Sequence, residues 1–225
     1  MTDFPSVAEH GLIGDLRTCA LVGSDGSINW FCAPRFDSPS VFGAILDPER
    51  GGSWTISTAR KDSRTHQFYF PQSAALITRF LTADGVIEVH DFMPVLQPKD
   101  DTHVQRLVRR VVAVRGTTTV NMVLDARPDY GRRRFDVQSG HGTARFRLDE
   151  LAMQLRSSVD LTVDDTVVAA EFELKPGQTA EFVLEGASLV VRGSGGAGAA
   201  PVGAHNLCLG VGLITRVQRG EQVEG

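Results

Sequence analysis

The chain has 225 residues, 42% of them hydrophobic and 22% charged, which is the composition of an ordinary globular protein. Its 27 carboxylates outnumber its 23 lysines and arginines. The resulting net charge of −4 argues against non-specific nucleic-acid binding, which depends on positive charge. The sequence has no run of about 20 apolar residues and so predicts no membrane span, and residues 1–5 lack the regions of a signal peptide. We therefore expect a cytoplasmic protein. The length of the chain fits either one large β domain or two small domains.

Three cysteines, Cys19, Cys32 and Cys208, stand at irregular spacing. An odd number without a regular pattern is a poor disulfide framework, and free cysteine usually packs as a small buried hydrophobe. No cysteine and histidine have the spacing of a zinc finger. The sequence therefore predicts buried, reduced thiols and implies no metal and no cofactor.

Alternation of apolar and polar residues dominates the chain, and this pattern is typical of half-buried β-strands. Within residues 117–124, for example, Thr118, Val120, Met122 and Leu124 share one face. The pattern predicts an all-β fold, a large antiparallel β-sandwich of about ten to twelve strands. The candidate strands in chain order are 18–23, 27–32, 53–58, 65–70, 74–82, 86–92, 104–115, 117–125, 132–138, 143–149, 151–157, 166–174 and 179–185.

Turn residues separate these candidate strands. The pairs Asp25-Gly26 and Asp84-Gly85 are typical of tight hairpin turns, because glycine accepts the positive φ that such turns need. Residues 139–142 and 175–178 carry further glycine-containing turns. The spacing of the strands is roughly what an antiparallel sandwich requires.

Two segments depart from simple alternation. One short helix is predicted at 39–47, because Pro39 suits the first helical position and Ser38 can cap it. Four apolar residues would then share one helical face: Val41, Phe42, Ile45 and Leu46. The long mixed run 104–114 is expected to bend between the two sheets of the sandwich.

The character of the sequence changes near residue 187. Residues 192–201 form a tract of small residues, which cannot bury enough surface to offset the entropy lost on ordering. The glycines of this tract lack the Lys-Ser/Thr ending of a phosphate-binding loop. We predict one β-sandwich domain over residues 1–187 and a low-complexity tail, flexible or aberrant, over residues 188–225.

Several blocks of the first 187 residues resemble a known family. The main ones are Gly11-Leu-Ile-Gly-Asp-Leu-Arg-Thr18, Asp25-Gly-Ser-Ile-Asn-Trp30 and Pro34-Arg-Phe-Asp-Ser-Pro39. They resemble the N-terminal domain of family 15 glycoside hydrolases, the bacterial and archaeal glucoamylases and trehalases. The resemblance covers residues from about 8 to 187, and Asn29 departs from the aspartate that is more frequent in the family. It implies the super-sandwich, a large antiparallel β-sandwich, that alternation predicts independently.

The resemblance also implies a function for the longer enzymes. They hydrolyse α-glucosidic bonds, in trehalose or malto-oligosaccharides, with an acid and a base glutamate that lie in a helical barrel after the β-sandwich. Nothing after residue 192 resembles that barrel, so no residue of this chain inherits a catalytic role. We expect a non-catalytic supporting domain whose partner is the helical-barrel catalytic domain, and we hypothesise a truncated or frameshifted reading frame. A separate chain that supplies the barrel is the alternative.

Two loops are the candidates for a domain interface or a sugar-binding rim. Arg35, Phe36 and Asp37 lie in the proline-flanked segment 34–39, and Tyr130 and Arg132 lie in segment 127–134. Tyrosine and arginine are favoured anchors at protein interfaces. The structural alternative for the first segment is that Asp37 or Ser38 caps the helix, Phe36 packs in the core and Arg35 forms a local ion pair. For the second segment, the alternative is an exposed turn.

Other polar residues are expected to be structural. His90 beside Asp91 fits a strand-end histidine better than a catalytic one. Seven glutamates are expected on solvated faces: Glu49, Glu88, Glu150, Glu171, Glu173, Glu181 and Glu185.

A free-standing carbohydrate-binding module is a further alternative, but Trp30 and Trp54 both fall in candidate strands and offer little for a flat aromatic platform. A pure interaction domain, or a fragment without function, also stays open.

Overall fold

The structure, a computed structural model, describes residues 6–95 and 104–187. All the described residues belong to one compact unit, residues 1–189. The tail predicted from residue 188 onwards and Cys208 lie outside the described residues. Within the described part, no helix has the length and apolarity needed to cross a membrane.

The described residues form sixteen β-strands and one 3₁₀ turn at Val7–Glu9. The strands are β1 (His10–Gly14), β2 (Cys19–Gly23), β3 (Ser27–Cys32), β4 (Ser40–Phe42), β5 (Ser53–Thr58), β6 (Arg64–Tyr69), β7 (Leu76–Leu81), β8 (Gly85–Phe92), β9 (Gln105–Gly116), β10 (Thr118–Asp125), β11 (Asp136–Gly140), β12 (Thr143–Leu148), β13 (Leu151–Ser157), β14 (Thr162–Asp164), β15 (Val167–Leu174) and β16 (Thr179–Ala187).

Two antiparallel sheets of eight strands face each other. The first has the order β1-β2-β3-β5-β10-β15-β14, with β4 paired to β3, and the second has the order β11-β12-β13-β16-β9-β8-β7-β6. The predicted all-β antiparallel sandwich is therefore confirmed, and each of the thirteen candidate segments overlaps an observed strand. The prediction missed β1, β4 and β14, because these strands are too short, or too rich in glycine, to show a clear alternation.

The core lies between the two sheets and follows from the alternation of the strands. On β10 the side chains of Val120, Met122 and Leu124 are fully buried, whereas Val123 on the opposite face is exposed. At the predicted Asp25-Gly26 turn, Gly26 has φ +82°, and a Cβ atom there would collide with the carbonyl oxygen of Ile56. Glycine at this turn therefore serves both the backbone conformation and the close approach of a neighbouring strand.

The helix predicted at 39–47 is not present. Residues 40–42 instead form β4, in which Phe42 pairs with Phe31 of β3, and both aromatic side chains are buried. Turns follow, and the Leu46 side chain is largely exposed. The prediction was wrong because a buried strand followed by a turn gives the same apolar spacing as a short amphipathic helix.

The long strand β9 does not pass from one sheet to the other as predicted. It stays in the second sheet, where it pairs with β16 over residues 105–112 and with β8 over residues 108–116. Its register shifts where Val86 pairs with Arg115 while Ile87 pairs with Ala113, which leaves Val114 as an extra residue. A bulge of this kind bends a strand within its own sheet, and the mixed pattern of the run reflects that local bend.

A buried ion pair connects the two sheets. Arg109 of β9 and Asp91 of β8 are both fully buried, and Arg109 Nε donates to Asp91 Oδ1 at 2.8 Å. The same guanidinium donates to the carbonyl oxygens of Gly26 (2.7 Å) and Trp54 in the first sheet. It also lies 5.2 Å from the centroid of the Trp54 ring. The arginine therefore uses its planar set of donors to hold one sheet against the other.

The edge strand β1 is protected by a side chain from the second sheet. The Leu12 N–H donates to the Tyr69 hydroxyl at 2.9 Å, and that hydroxyl donates to the Leu12 carbonyl oxygen at 2.8 Å. Unpaired edge groups are the usual starting points for pairing with other chains. Tyr69 satisfies two of them on this strand.

Candidate functional site

The structure brings the two candidate loops together at one end of the sandwich. The second loop, residues 127–134, is held by β4: Asp129 N–H donates to the Ser40 carbonyl oxygen at 2.9 Å, and Tyr130 N–H donates to Ser40 Oγ at 3.0 Å. The first loop, residues 34–39, leads directly into β4. Ser40 therefore links two segments that lie about ninety residues apart in the sequence.

The first loop is held by its own polar groups. Arg35 binds the Asp37 carboxylate through Nε at 2.9 Å and through Nη2 at 3.2 Å. Ser38 Oγ accepts from the Arg35 N–H at 3.2 Å. The local ion pair of the structural alternative is thus observed, but no helix is present for Asp37 or Ser38 to cap. Phe36 is 65% exposed and does not pack in the core.

A second apolar side chain beside this loop was missed by sequence reasoning. Leu16 is 87% exposed and has φ 72°, a left-handed conformation that is unusual for leucine. The Phe36 N–H donates to the carbonyl oxygen of Arg17 at 3.2 Å, so the turn that carries Leu16 lies against the first loop. We call Leu16 and Phe36 the apolar tip. The Asp-Leu-Arg-Thr sequence of a tight turn with leucine at its centre is the signal that could have found it.

The second loop presents an aromatic ring and a guanidinium. Tyr130 is 43% exposed, and its ring centroid lies 6.2 Å from that of the half-buried Trp30. The Arg132 guanidinium stacks over the Tyr130 ring at 5.9 Å and approaches Asp129 at 4.0 Å. The structure thus places Tyr130 and Arg132 together.

A cleft of about 600 Å³ opens between the two loops. One wall consists of Ala33, Pro34 and residues 38–40, the second of Pro128, Asp129 and Arg133, and the third of the β12–β13 turn, residues 148–151. The five site residues predicted from the sequence lie on these loops but are not among the lining residues. Arg133 crosses to this third wall and pairs with Asp149 at 2.7 Å. The turn 148–151 was not singled out from the sequence, because its approach to the two loops depends on how the second sheet packs on the first.

Two of the seven glutamates are not on solvated faces, so that expectation was wrong for them. Glu88 is 8% exposed, contacts His90 at 2.9 Å and binds Arg79. The hydrogen bond with His90, followed by that with Arg79, lowers the pKa of Glu88 against the opposing effect of burial. Glu185 is bound by Arg106 at 2.9 Å and Arg156 at 3.1 Å. Cross-strand pairing of opposite charges explains both cases.

His90 has the structural role that the sequence favours. It is 1% exposed, and its ring contacts the Glu88 carboxylate on β8, whereas the neighbouring Asp91 is bound to Arg109. Within the described ranges, no group of three histidine, cysteine, aspartate or glutamate side chains could hold a metal ion.

The two cysteines in the described part are unpaired, as predicted. Cys32 is buried and Cys19 is half-buried. Burial, followed by the nearby Cys19, raises the pKa of Cys32 to about 11.

Trp54 is fully buried under the Arg109 guanidinium, so it cannot form part of a surface platform for sugar.

Comparisons with known proteins agree with the sequence blocks. The trehalase of Mycolicibacterium smegmatis is 36% identical over 150 residues, which is 57% of this chain and 21% of the relative. The trehalase of Mycobacterium tuberculosis is 32% identical over 149 residues, again 57% of this chain and 21% of the relative. Trehalase 2 of Sulfolobus acidocaldarius is 45% identical over 89 residues, 40% of this chain and 15% of the relative. The matched part thus spans about a fifth or less of these relatives.

A comparison with solved structures finds a putative kojibiose phosphorylase from the human microbiome. It is 12% identical with a TM-score of 0.43, and the match covers 99% of this chain and 28% of that chain. The model of the family described as "Trehalase-like, N-terminal" matches residues 2–188. The chain therefore belongs to the trehalase-like N-terminal domain family.

Proposed function

We propose that the chain is the non-catalytic β-sandwich of a family 15, glucoamylase- or trehalase-type glycoside hydrolase. In this proposal the sandwich supports a helical-barrel catalytic domain that hydrolyses α-glucosidic bonds, with trehalose as the first candidate substrate and malto-oligosaccharides as the second. Relatives named trehalase that extend far beyond the matched region support it. The free thiols of Cys19 and Cys32 agree with a reducing compartment such as the cytoplasm.

The carboxylates of the described residues support a non-catalytic role. Glycoside hydrolysis needs two carboxyl groups, and the general acid is usually held protonated by an apolar environment. Here the buried Asp91 carboxylate is bound to Arg109, and the buried Glu88 carboxylate is bound to His90. In the cleft, Asp149 is paired with Arg133 and Asp129 lies 4.0 Å from Arg132, whereas Glu150 makes no ion pair within the described ranges but is exposed to solvent. None of these side chains has the apolar, unpaired setting of a catalytic acid.

The observation that carries the proposal is the apolar tip. Two large apolar side chains on adjoining loops, Leu16 and Phe36, project into solvent instead of the core. Leu16 does so from a left-handed conformation, which costs about 1 kcal/mol or more for a residue with a side chain. Exposed apolar side chains rimmed by polar groups, such as the Arg35–Asp37 pair, are typical of protein interfaces.

A chimeric enzyme tests the proposal. Residues 6–187 of this chain replace the matched region of the M. smegmatis trehalase, and hydrolysis of trehalose is measured beside the isolated chain. We expect the chimera to release glucose and the isolated chain to release none. The double variant L16S/F36S should lower the activity and the melting temperature of the chimera without lowering the melting temperature of the isolated chain.

Val114→Ser is the matched control for the loss of exposed apolar surface. Val114 is 50% exposed, and it lies nine residues along β9 from Gln105, whose Nε2 binds the Pro34 carbonyl oxygen beside the first loop. Nine residues of strand span about 30 Å, so this variant should leave the chimera unchanged. Glucose release from trehalose or maltose by the isolated chain would reject a non-catalytic role. Equal behaviour of L16S/F36S and V114S would reject the interface.

A further inference from the structure

We propose, resting on the function above, that the cleft receives a lysine or arginine side chain from the catalytic domain. The apolar tip would supply buried area at the interface, and the cleft beside it would supply charge-dependent recognition. The occupant is thus a basic segment of the partner domain rather than a free sugar.

The walls of the cleft suit the aliphatic stem of such a side chain. Three prolines, Pro34, Pro39 and Pro128, contribute to the walls, and Leu148 and Leu151 add apolar surface from the third wall. Proline rings fix the backbone, so these walls change little when a partner binds. Lysine and arginine bury their methylene groups along apolar surface while the charged end reaches polar groups.

The charges of the cleft suit a cation. Three carboxylates line it, Asp129, Asp149 and Glu150, against a single guanidinium, that of Arg133. Arg133 neutralises Asp149 at 2.7 Å. Asp129 has Arg132 at the long distance of 4.0 Å, and Glu150 makes no ion pair within the described ranges. Glu150 is therefore left without a cation and Asp129 has only a distant one, so both carboxylates can face an incoming positive charge. Such complementarity steers association and selects the partner.

The lining disfavours a sugar. Carbohydrate sites usually offer an aromatic face to a pyranose ring, and the cleft has no aromatic side chain among its described lining residues. The Tyr130 ring is occupied by Arg132, and Phe36 belongs to the tip. The partner polypeptide, by contrast, is expected from the lengths of the relatives, of which this chain matches about a fifth.

The first test uses the isolated chain. Amide chemical shifts of ¹⁵N-labelled protein are followed during titration with acetyl-Gly-Arg-Gly-amide, the same peptide with citrulline in place of arginine, and trehalose. We expect weak, salt-sensitive binding of the arginine peptide, with shifts confined to residues 33–40, 128–133 and 148–151. The double variant D129N/E150Q should weaken this binding about fivefold or more, because each neutralised carboxylate can no longer form an exposed ion pair with the arginine of the peptide. The control E171Q, an exposed glutamate on β15, should leave it unchanged.

Equal shifts from arginine and citrulline, or shifts from trehalose alone, would overturn the proposal. The absence of shifts at the cleft with the arginine peptide would also overturn it.

The second test separates this proposal from the proposed function. In the chimera, D129N/E150Q should lower the melting temperature relative to E171Q, while the isolated chain melts unchanged. If L16S/F36S weakens the chimera but D129N/E150Q does not, the basic segment is rejected and the interface stands. If neither variant weakens it, the interface itself is rejected.

Discussion

Replacing Arg109 with methionine should destabilise the sandwich more than any surface substitution. Methionine keeps much of the apolar volume of the side chain but removes the cation from Asp91, whose carboxylate is fully buried. Breaking a buried ion pair on one side costs about 3–5 kcal/mol. The total stability of a domain is about 5–15 kcal/mol, so this loss is a large fraction of it.

The assay is urea unfolding at 25 °C, followed by far-UV circular dichroism. With a urea dependence of about 2 kcal/mol per molar, the loss should lower the unfolding midpoint by about 1.5–2.5 M. Arg134→Met is the matched control, because Arg134 pairs with Asp165 at the surface, where both side chains are mostly exposed. This control should cost at most about 1 kcal/mol. Asp91→Asn provides a milder change if R109M does not fold.

The double variant D91L/R109M tests the cause of the loss. It removes both charges, so it should be more stable than R109M alone. It should stay below the wild type, because the Trp54 carbonyl oxygen loses the hydrogen bond that Arg109 donates. The Gly26 carbonyl oxygen keeps the Ile56 N–H at 3.1 Å. A midpoint shift for R109M no larger than that of Arg134→Met, or a double variant less stable than R109M, would show that the buried Asp91 carboxylate does not need the charge of Arg109.

Three further predictions concern single side chains. Tyr69→Phe removes both hydrogen bonds to the Leu12 backbone and should cost about 1–2 kcal/mol; hydrogen exchange of the Leu12 amide should accelerate, and unchanged exchange would contradict the role of Tyr69. The pKa of Glu88 is lowered, mainly by His90, so the stabilisation that this carboxylate provides is present above pH 4.5 and is lost as pH falls through its folded pKa. In urea unfolding, the free energy of unfolding of Glu88→Gln should therefore differ from that of the wild type at pH 7, and the two should converge towards pH 3. A difference that stays constant with pH would show that the ionised Glu88 carboxylate does not stabilise the fold. With a pKa of about 11, the Cys32 thiol is about 0.1% ionised at pH 8; peptide mapping should show much slower alkylation in the native chain than in urea, and equal rates would exclude this burial.

The positions of the strands could be predicted because their signals are local. Alternation on β10 and the Asp25-Gly26 turn each depend on a few neighbouring residues, and both are present in the structure. The helix at 39–47 failed because its apolar spacing is shared by a buried strand and a following turn. Only the pairing of Phe42 with Phe31 decides between these two local structures.

The candidate site could be predicted in part. Sequence reasoning selected both loops but treated them as separate, and the local ion pair of Arg35 with Asp37 was among its alternatives. It did not anticipate the exposure of Leu16, the third wall at 148–151 or the burial of Glu88. The third wall and the burial of Glu88 depend on residues far away in the chain, which no local pattern records, whereas the turn that exposes Leu16 is a local signal that was overlooked.

The all-β class, most strand positions and the family could be read from the sequence alone, because strand period, turn residues and motif blocks each depend on adjacent residues. The tertiary structure alone decided that Ser40 joins loops ninety residues apart and that Arg109 binds across the sandwich. It also decided that Leu16 and Phe36 face solvent. The physical reason is that burial, charge pairing and cleft formation depend on sheet packing, which brings together residues that are distant in the chain.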